Sequence, residues 1–106
     1  MRPISQKNRK IINESLFYKR CIRSSDECSG RITIEHAFIY AKRQIDELWS
    51  LLPLCWFHHL GEGLDKRFNQ WFAVNRATDL ELLKYPKKDW AQIKRHLNKT
   101  YGENID

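Results

Sequence analysis

The chain has 106 residues, a formal net charge of +6, 42% hydrophobic and 30% charged side chains, and only four glycines and three prolines. This length allows one domain, and this composition excludes a chain that is disordered throughout or built from low-complexity sequence. No apolar run approaches the ~20 residues of a membrane helix and the first residues lack a secretion signal, so we expect a cytoplasmic protein with no membrane partner.

The first part of the chain predicts a basic lead-in followed by a strand. Residues 1–20 form a basic N-terminal lead-in, in which residues 1–10 predict a flexible arm and residues 11–20 could be either a short helix or an extended segment. Turn-forming residues lie between and after Cys21 and Cys28, as they would in a metal-binding knuckle. Alternating β-branched residues at 31–35 then predict a strand that ends at Glu35.

The middle of the chain predicts an irregular connection and then a helix. The apolar run at 51–54 follows the connection at 37–48, and Pro53 argues against a central position in a sheet. Apolar residues then recur at steps of three and four, which predicts a helix with one buried face. That face comprises Leu60, Leu64, Phe68, Trp71 and Phe72.

The C-terminal part predicts two further helices. Thr78 and Glu81 match a capping box and predict a short helix, and a last amphipathic helix is predicted over residues 87–100. We therefore expect an α+β protein with one compact domain, in which a core at 21–75 is followed by a helical extension at 76–106.

All three cysteines and three of the four histidines lie between residues 21 and 59. Cys21, Cys28, Cys55 and His58 offer three thiolates and one imidazole, the ligand set that a structural zinc ion prefers. In a reducing compartment, cysteines grouped with histidines mark metal sites more often than disulfides. A Cys28–Cys55 disulfide is a weaker option. The alternative without a metal is that the cysteines are small core residues and His58 lies on a helix surface.

A second group combines Glu35 and His36 with His59. A carboxylate and an imidazole from two separate elements can hold one divalent ion and leave positions open for water and a phosphate oxygen. His36 points to the opposite side of an extended strand from Glu35 and could accept a proton from water. Taken singly, Glu35 and His36 would more often be ordinary strand residues.

Two stretches resemble the HNH, or ββα-metal, endonuclease family of the small phage and mobile-element type. They are Ile32-Thr-Ile-Glu-His36 and Ser50-Leu-Leu-Pro-Leu-Cys-Trp-Phe-His-His59, and the resemblance covers about residues 21–65. It implies a ββα-metal (His-Me finger) core with a structural zinc, a general base at His36, and a catalytic ion such as Mg²⁺ on Glu35 and His59. It assigns the zinc to Cys21, Cys28, Cys55 and His58.

Two positions depart from the family pattern. Ser50 stands where the family has an asparagine, and it offers one hydroxyl instead of a two-ended amide. Gly63 stands where a further metal ligand is often found, and it offers no side chain. Glu62 or Asp65 could reach the ion instead.

The resemblance implies DNA as the partner, expected to be double-stranded, whereas the charge distribution by itself suits any polyanion. Eight basic and three acidic side chains lie in residues 1–31, and basic residues at both ends of a small domain suit a polyanion. The second basic group comprises Lys84, Lys87, Lys88, Lys94, Arg95 and Lys99. The expected enzyme is a hydrolase acting as a monomer or homodimer, in the host cytoplasm if it is phage-encoded.

Two other functions remain compatible with the sequence. One is a zinc-stabilised nucleic-acid-binding module without cleavage activity, and the other is a zinc-held protein-interaction domain. The Glu35–His36 pair separates the first of these from a nuclease, because a hydrolase needs both residues and a binding module needs neither.

Overall fold

Two strands from either side of a long connection pair to form the sheet that carries both predicted sites. In the computed structural model, which describes residues 4–102, β1 (Ile32–His36) runs antiparallel to β4 (Leu51–Cys55). The predicted strand is therefore confirmed. Pro53 lies opposite Ile34 in this two-stranded sheet, where each strand keeps an open edge that tolerates a residue without an N–H group.

The remaining described elements make this a small α+β fold with two small antiparallel sheets. The helices are α1 (Gln6–Glu14), α2 (Trp56–His59), α3 (Lys66–Arg76), α4 (Asp79–Leu82) and α5 (Trp90–Tyr101). The second sheet is a hairpin of β2 (Ile39–Tyr40) and β3 (Arg43–Gln44), and short 3-10 turns lie at Leu16–Lys19 and Leu48–Ser50. Within residues 4–102, no helix combines the length and apolarity needed to cross a bilayer.

The helix predicted after β4 is broken near its start. The chain leaves α2 at His59 and begins α3 only at Lys66, so that Leu60 and Leu64 are 64% and 46% exposed instead of buried. The prediction of a continuous buried stripe was wrong there because a new helix starts at Asp65, whose carboxylate accepts a hydrogen bond from the Phe68 N–H at 3.1 Å. Beyond this cap the predicted stripe is only partly in the core: Phe68, Trp71 and Phe72 are half-buried, and the fully buried residues of α3 are Asn69, Ala73 and Val74.

The main core lies between the sheet and the two longest C-terminal helices. Helix α3 packs against α5 and against the turn that precedes β4. Phe38 and Trp49 each contact Trp90 edge to face, with ring centroids 5.2 and 5.8 Å apart. The capping box is confirmed at α4, and α5 begins three residues later than predicted because Asp89 caps it.

Helix α1 covers Gln6–Glu14, so residues 6–10 are helical where the sequence predicted a flexible arm, and residues 11–14 take the helical alternative. Residues 1–3 lie outside the described part. Ser5 caps α1 by accepting a hydrogen bond from the Asn8 N–H at 3.2 Å. The Asn8 amide donates to the Asp46 carbonyl at 2.9 Å, and Ile12 is buried beside Tyr18 and Leu51. These tertiary contacts hold a segment whose own sequence has little helical signal.

Candidate functional site

Three cysteines and one histidine from separate elements converge beside the sheet. Cys21 and Cys28 lie in the turns before β1, Cys55 ends β4, and His58 lies in α2. Their four ligand atoms all lie within 4.8 Å of one another, and this group could hold a metal ion. All three cysteines are free thiols, so the alternative Cys28–Cys55 disulfide is not formed.

The distances from His58 to the three sulfurs match those of a tetrahedral metal site. The Nδ1 atom of His58 lies 3.5, 3.6 and 3.2 Å from the sulfurs of Cys21, Cys28 and Cys55. Zinc bonds of about 2.3 Å to sulfur and about 2.0 Å to nitrogen place two tetrahedral ligands about 3.5 Å apart. A ring nitrogen carries at most one proton, so hydrogen bonding alone does not explain three sulfurs around it.

The pKa of the Cys55 thiol in this cluster is lowered. Burial acts to raise the pKa of the Cys55 thiol, but the backbone N–H groups of His58 and Ser29 favour the thiolate and lower that pKa to about 6. Burial raises the pKa of Cys21 to about 11. Metal binding requires the thiolate form, and the hydrogen bonds from these N–H groups favour that form at Cys55.

The second predicted group meets at the edge of the same sheet. Glu35 near the end of β1 and His59 at the end of α2 approach each other, with 3.6 Å between Glu35 Oε1 and His59 Nε2. Both side chains keep some access to solvent, at 11% and 19% exposure. The other nitrogen of His59, Nδ1, lies 2.6 Å from the Thr33 hydroxyl on β1.

Lys66 is a member of this site that the sequence did not reveal. Its ammonium lies 3.3 Å from the same Glu35 Oε1 and donates a hydrogen bond to the His36 carbonyl at 2.8 Å. Lys66 opens α3, and the break after α2 is what brings that helix end beside β1. Nothing in the sequence near Lys66 indicates that it contacts His36, which lies 30 residues earlier, because the fold creates this contact.

His36 is buried beside this group but makes different contacts. Its ring is 7% exposed, and Nε2 has no hydrogen-bond partner within residues 4–102. Burial lowers the pKa of His36 below its usual 6.5; Asp46 and Glu35 oppose this shift, whereas Lys66 and His59 add to it. The imidazole is therefore neutral at pH 7 and can accept a proton.

Glu62 and Asp65 were expected as possible further ligands of the ion. Within the described part, neither forms a hydrogen bond or an ion pair with Glu35 or His59. Glu62 is exposed, and Asp65 caps α3 and accepts hydrogen bonds from the Tyr101 hydroxyl at 3.0 and 3.1 Å. Ser50 is fully buried, and its hydroxyl has no partner among residues 4–102. Its backbone carbonyl accepts the Ala37 N–H at 2.9 Å, directly after β1.

Gly63 has a steric reason to lack a side chain. A Cβ atom at this position would lie 2.3 Å from the Phe57 ring and 2.9 Å from His58 Cδ2. The loop therefore packs its backbone directly onto α2, beside the thiol cluster.

Comparison with known proteins gives no match to this chain among family models, curated proteins or solved structures.

Proposed function

We propose that this protein is a metal-dependent endonuclease of the HNH type that hydrolyses phosphodiester bonds in DNA. In this proposal β1, β4 and the helices after them form a ββα-metal core, and the thiol cluster holds a structural zinc ion. The observation that carries the proposal is the 3.6 Å approach of Glu35 Oε1 to His59 Nε2, with His36 next to Glu35 in β1. One divalent ion about 2.1 Å from each atom fits this separation.

Each residue has a chemical role in the proposal. Glu35 and His59 would hold the divalent ion, which when bound polarises a phosphate oxygen and stabilises the charge that develops there. His36 accepts a proton from the attacking water as the new O–P bond forms and the bond to the leaving oxygen breaks. Its lowered pKa supports this role, since a base must be unprotonated at working pH.

A plasmid assay with a matched histidine control tests the proposal. We expect the purified protein to nick supercoiled DNA with Mg²⁺, Mn²⁺ or Ni²⁺, and His36→Ala to lower the rate by about 10²–10⁴-fold. His96→Ala removes an exposed histidine from α5 and should nick as fast as wild type at saturating DNA concentration, where the loss of one side chain from the α5 grooves no longer limits binding. Absence of nicking with every metal, or equal nicking by His36→Ala, would overturn the assignment.

A second candidate is a zinc-stabilised nucleic-acid-binding module without cleavage. The ion pair between Lys66 and Glu35 favours it, because an ammonium already balances the charge of the carboxylate that a catalytic ion would use. This candidate predicts DNA binding that weakens as the salt concentration rises, without nicking. Absence of DNA binding at low salt would count against it.

A further inference from the structure

Thr33 links the sheet to His59, the histidine proposed to bind the divalent ion. Thr33 and Glu35 are two residues apart on β1, so their side chains lie on the same face, and both contact His59. The Thr33 hydroxyl is 2.8 Å from the Leu54 carbonyl oxygen and 2.6 Å from His59 Nδ1. Leu54 is the register partner of Thr33 on β4, so the backbone fixes this hydroxyl in place.

The direction of these two hydrogen bonds follows from the number of protons. A carbonyl oxygen only accepts, so Thr33 uses its single proton to donate to Leu54. The contact with His59 then requires Nδ1 to carry a proton and donate it to the Thr33 oxygen. In neutral His59 this leaves Nε2 with a lone pair, 3.6 Å from Glu35 Oε1.

We propose that Thr33 is a positioning residue that holds His59 in the Nδ1–H tautomer and so keeps its Nε2 lone pair beside Glu35. The opposite tautomer would place an N–H group between His59 and Glu35, at the position where a cation must bind. Two acceptors facing each other instead form a site that favours a cation, and metal-binding histidines are commonly oriented by such a partner on their second nitrogen. The role of the cation rests on the proposed function, whereas the tautomer assignment does not.

Nitrogen-15 NMR of the histidine rings tests the tautomer, in protein loaded with one zinc ion per chain and with no other divalent metal added. We expect neutral His59 in wild type to show a protonated Nδ1 and an unprotonated Nε2. Thr33→Val keeps the side-chain shape and the strand preference but removes the acceptor, and should shift His59 toward the Nε2–H form. Thr33→Ser keeps the acceptor and should retain the wild-type signature. A protonated Nε2 in neutral wild-type His59 would overturn the proposal, and this spectrum needs no variant to fold.

Manganese affinity, measured by calorimetry on the same zinc-loaded proteins, tests the consequence. We expect Thr33→Val to bind Mn²⁺ about 10–100-fold more weakly than wild type, and Thr33→Ser to recover most of the loss. Equal Mn²⁺ affinity in wild type and Thr33→Val would overturn the positioning role. If wild type shows the expected tautomer but does not nick DNA, the proposed function fails while the Thr33 assignment stands. If wild type nicks DNA but shows the opposite tautomer, the Thr33 assignment fails while the proposed function stands.

Discussion

Gly63 provides a sharp test of how the loop after α2 packs against the thiol cluster. Gly63→Ala would place a Cβ atom 2.3 and 2.5 Å from two carbons of the Phe57 ring and 2.9 Å from His58 Cδ2. Ordinary carbon contacts are about 3.5–4.0 Å, so the ring must move by about 1 Å or more. Overpacking of this kind costs about 1–3 kcal/mol, and each kcal/mol lowers the melting temperature of a domain of this size by about 4–8 °C.

Thermal unfolding followed by circular dichroism measures the effect, with zinc content determined on the same samples. Gly102→Ala is the matched control, because its Cβ would meet Asn98 at an ordinary 3.4 Å and its φ of −71° suits alanine. We expect the control to unfold at or above the wild-type temperature, since alanine is the better helix former. If Gly63→Ala unfolds within a degree of wild type and binds as much zinc as wild type, the close packing argued for this loop is wrong.

Three further predictions follow from the described contacts. Zinc removal by a chelator, or Cys55→Ala, should cause major unfolding. A structural zinc contributes about 10–16 kcal/mol in small domains, and the whole stability of such a domain is about 5–15 kcal/mol. If Cys55→Ala keeps full zinc content and full stability, this cluster is not a structural zinc site. Exchange of Lys88, Arg95 and Lys99, which line adjoining grooves along α5, for glutamine should reduce the salt slope of DNA binding by about 2.7 if each contacts one phosphate. An unchanged slope would place the DNA elsewhere. Thr78→Ala should cost about 1 kcal/mol in denaturant unfolding by removing the capping box, and a smaller loss than about 0.3 kcal/mol would contradict that role.

Local chemistry allowed part of this structure to be predicted from the sequence. The strand that contains Glu35 has a two-residue alternation, and the capping box places Glu81 three residues after Thr78, so each signal lies within a few residues. The ligand set of the thiol cluster was also recognisable, because few other arrangements place three cysteines and a histidine so close in sequence. The structure brings these four residues together as predicted.

Features that depend on tertiary contacts were not predictable in the same way. The β2–β3 hairpin turns through Ala41 and Lys42, with φ values of 52° and 67°, instead of the asparagine and glycine that usually announce such a turn. Lys66 gained its place at Glu35 through the break after α2. Thr33 could have been noticed, since its two-residue offset from Glu35 puts both on one face of a strand.

Adjacent histidines on one short helix connect the two candidate sites. His58 turns its Nδ1 toward the three thiols, whereas His59 turns its Nδ1 toward Thr33 and its Nε2 toward Glu35. Successive helical residues point about 100° apart, so one turn of helix can serve two separate sites only if its rotation is fixed. Helix α2 has just four residues and no side-chain cap, so its own hydrogen bonds cannot fix that rotation. The proposed ion held by His58 and the thiols would fix that rotation, so we expect its loss to displace His59 from Glu35 without any substitution at either residue.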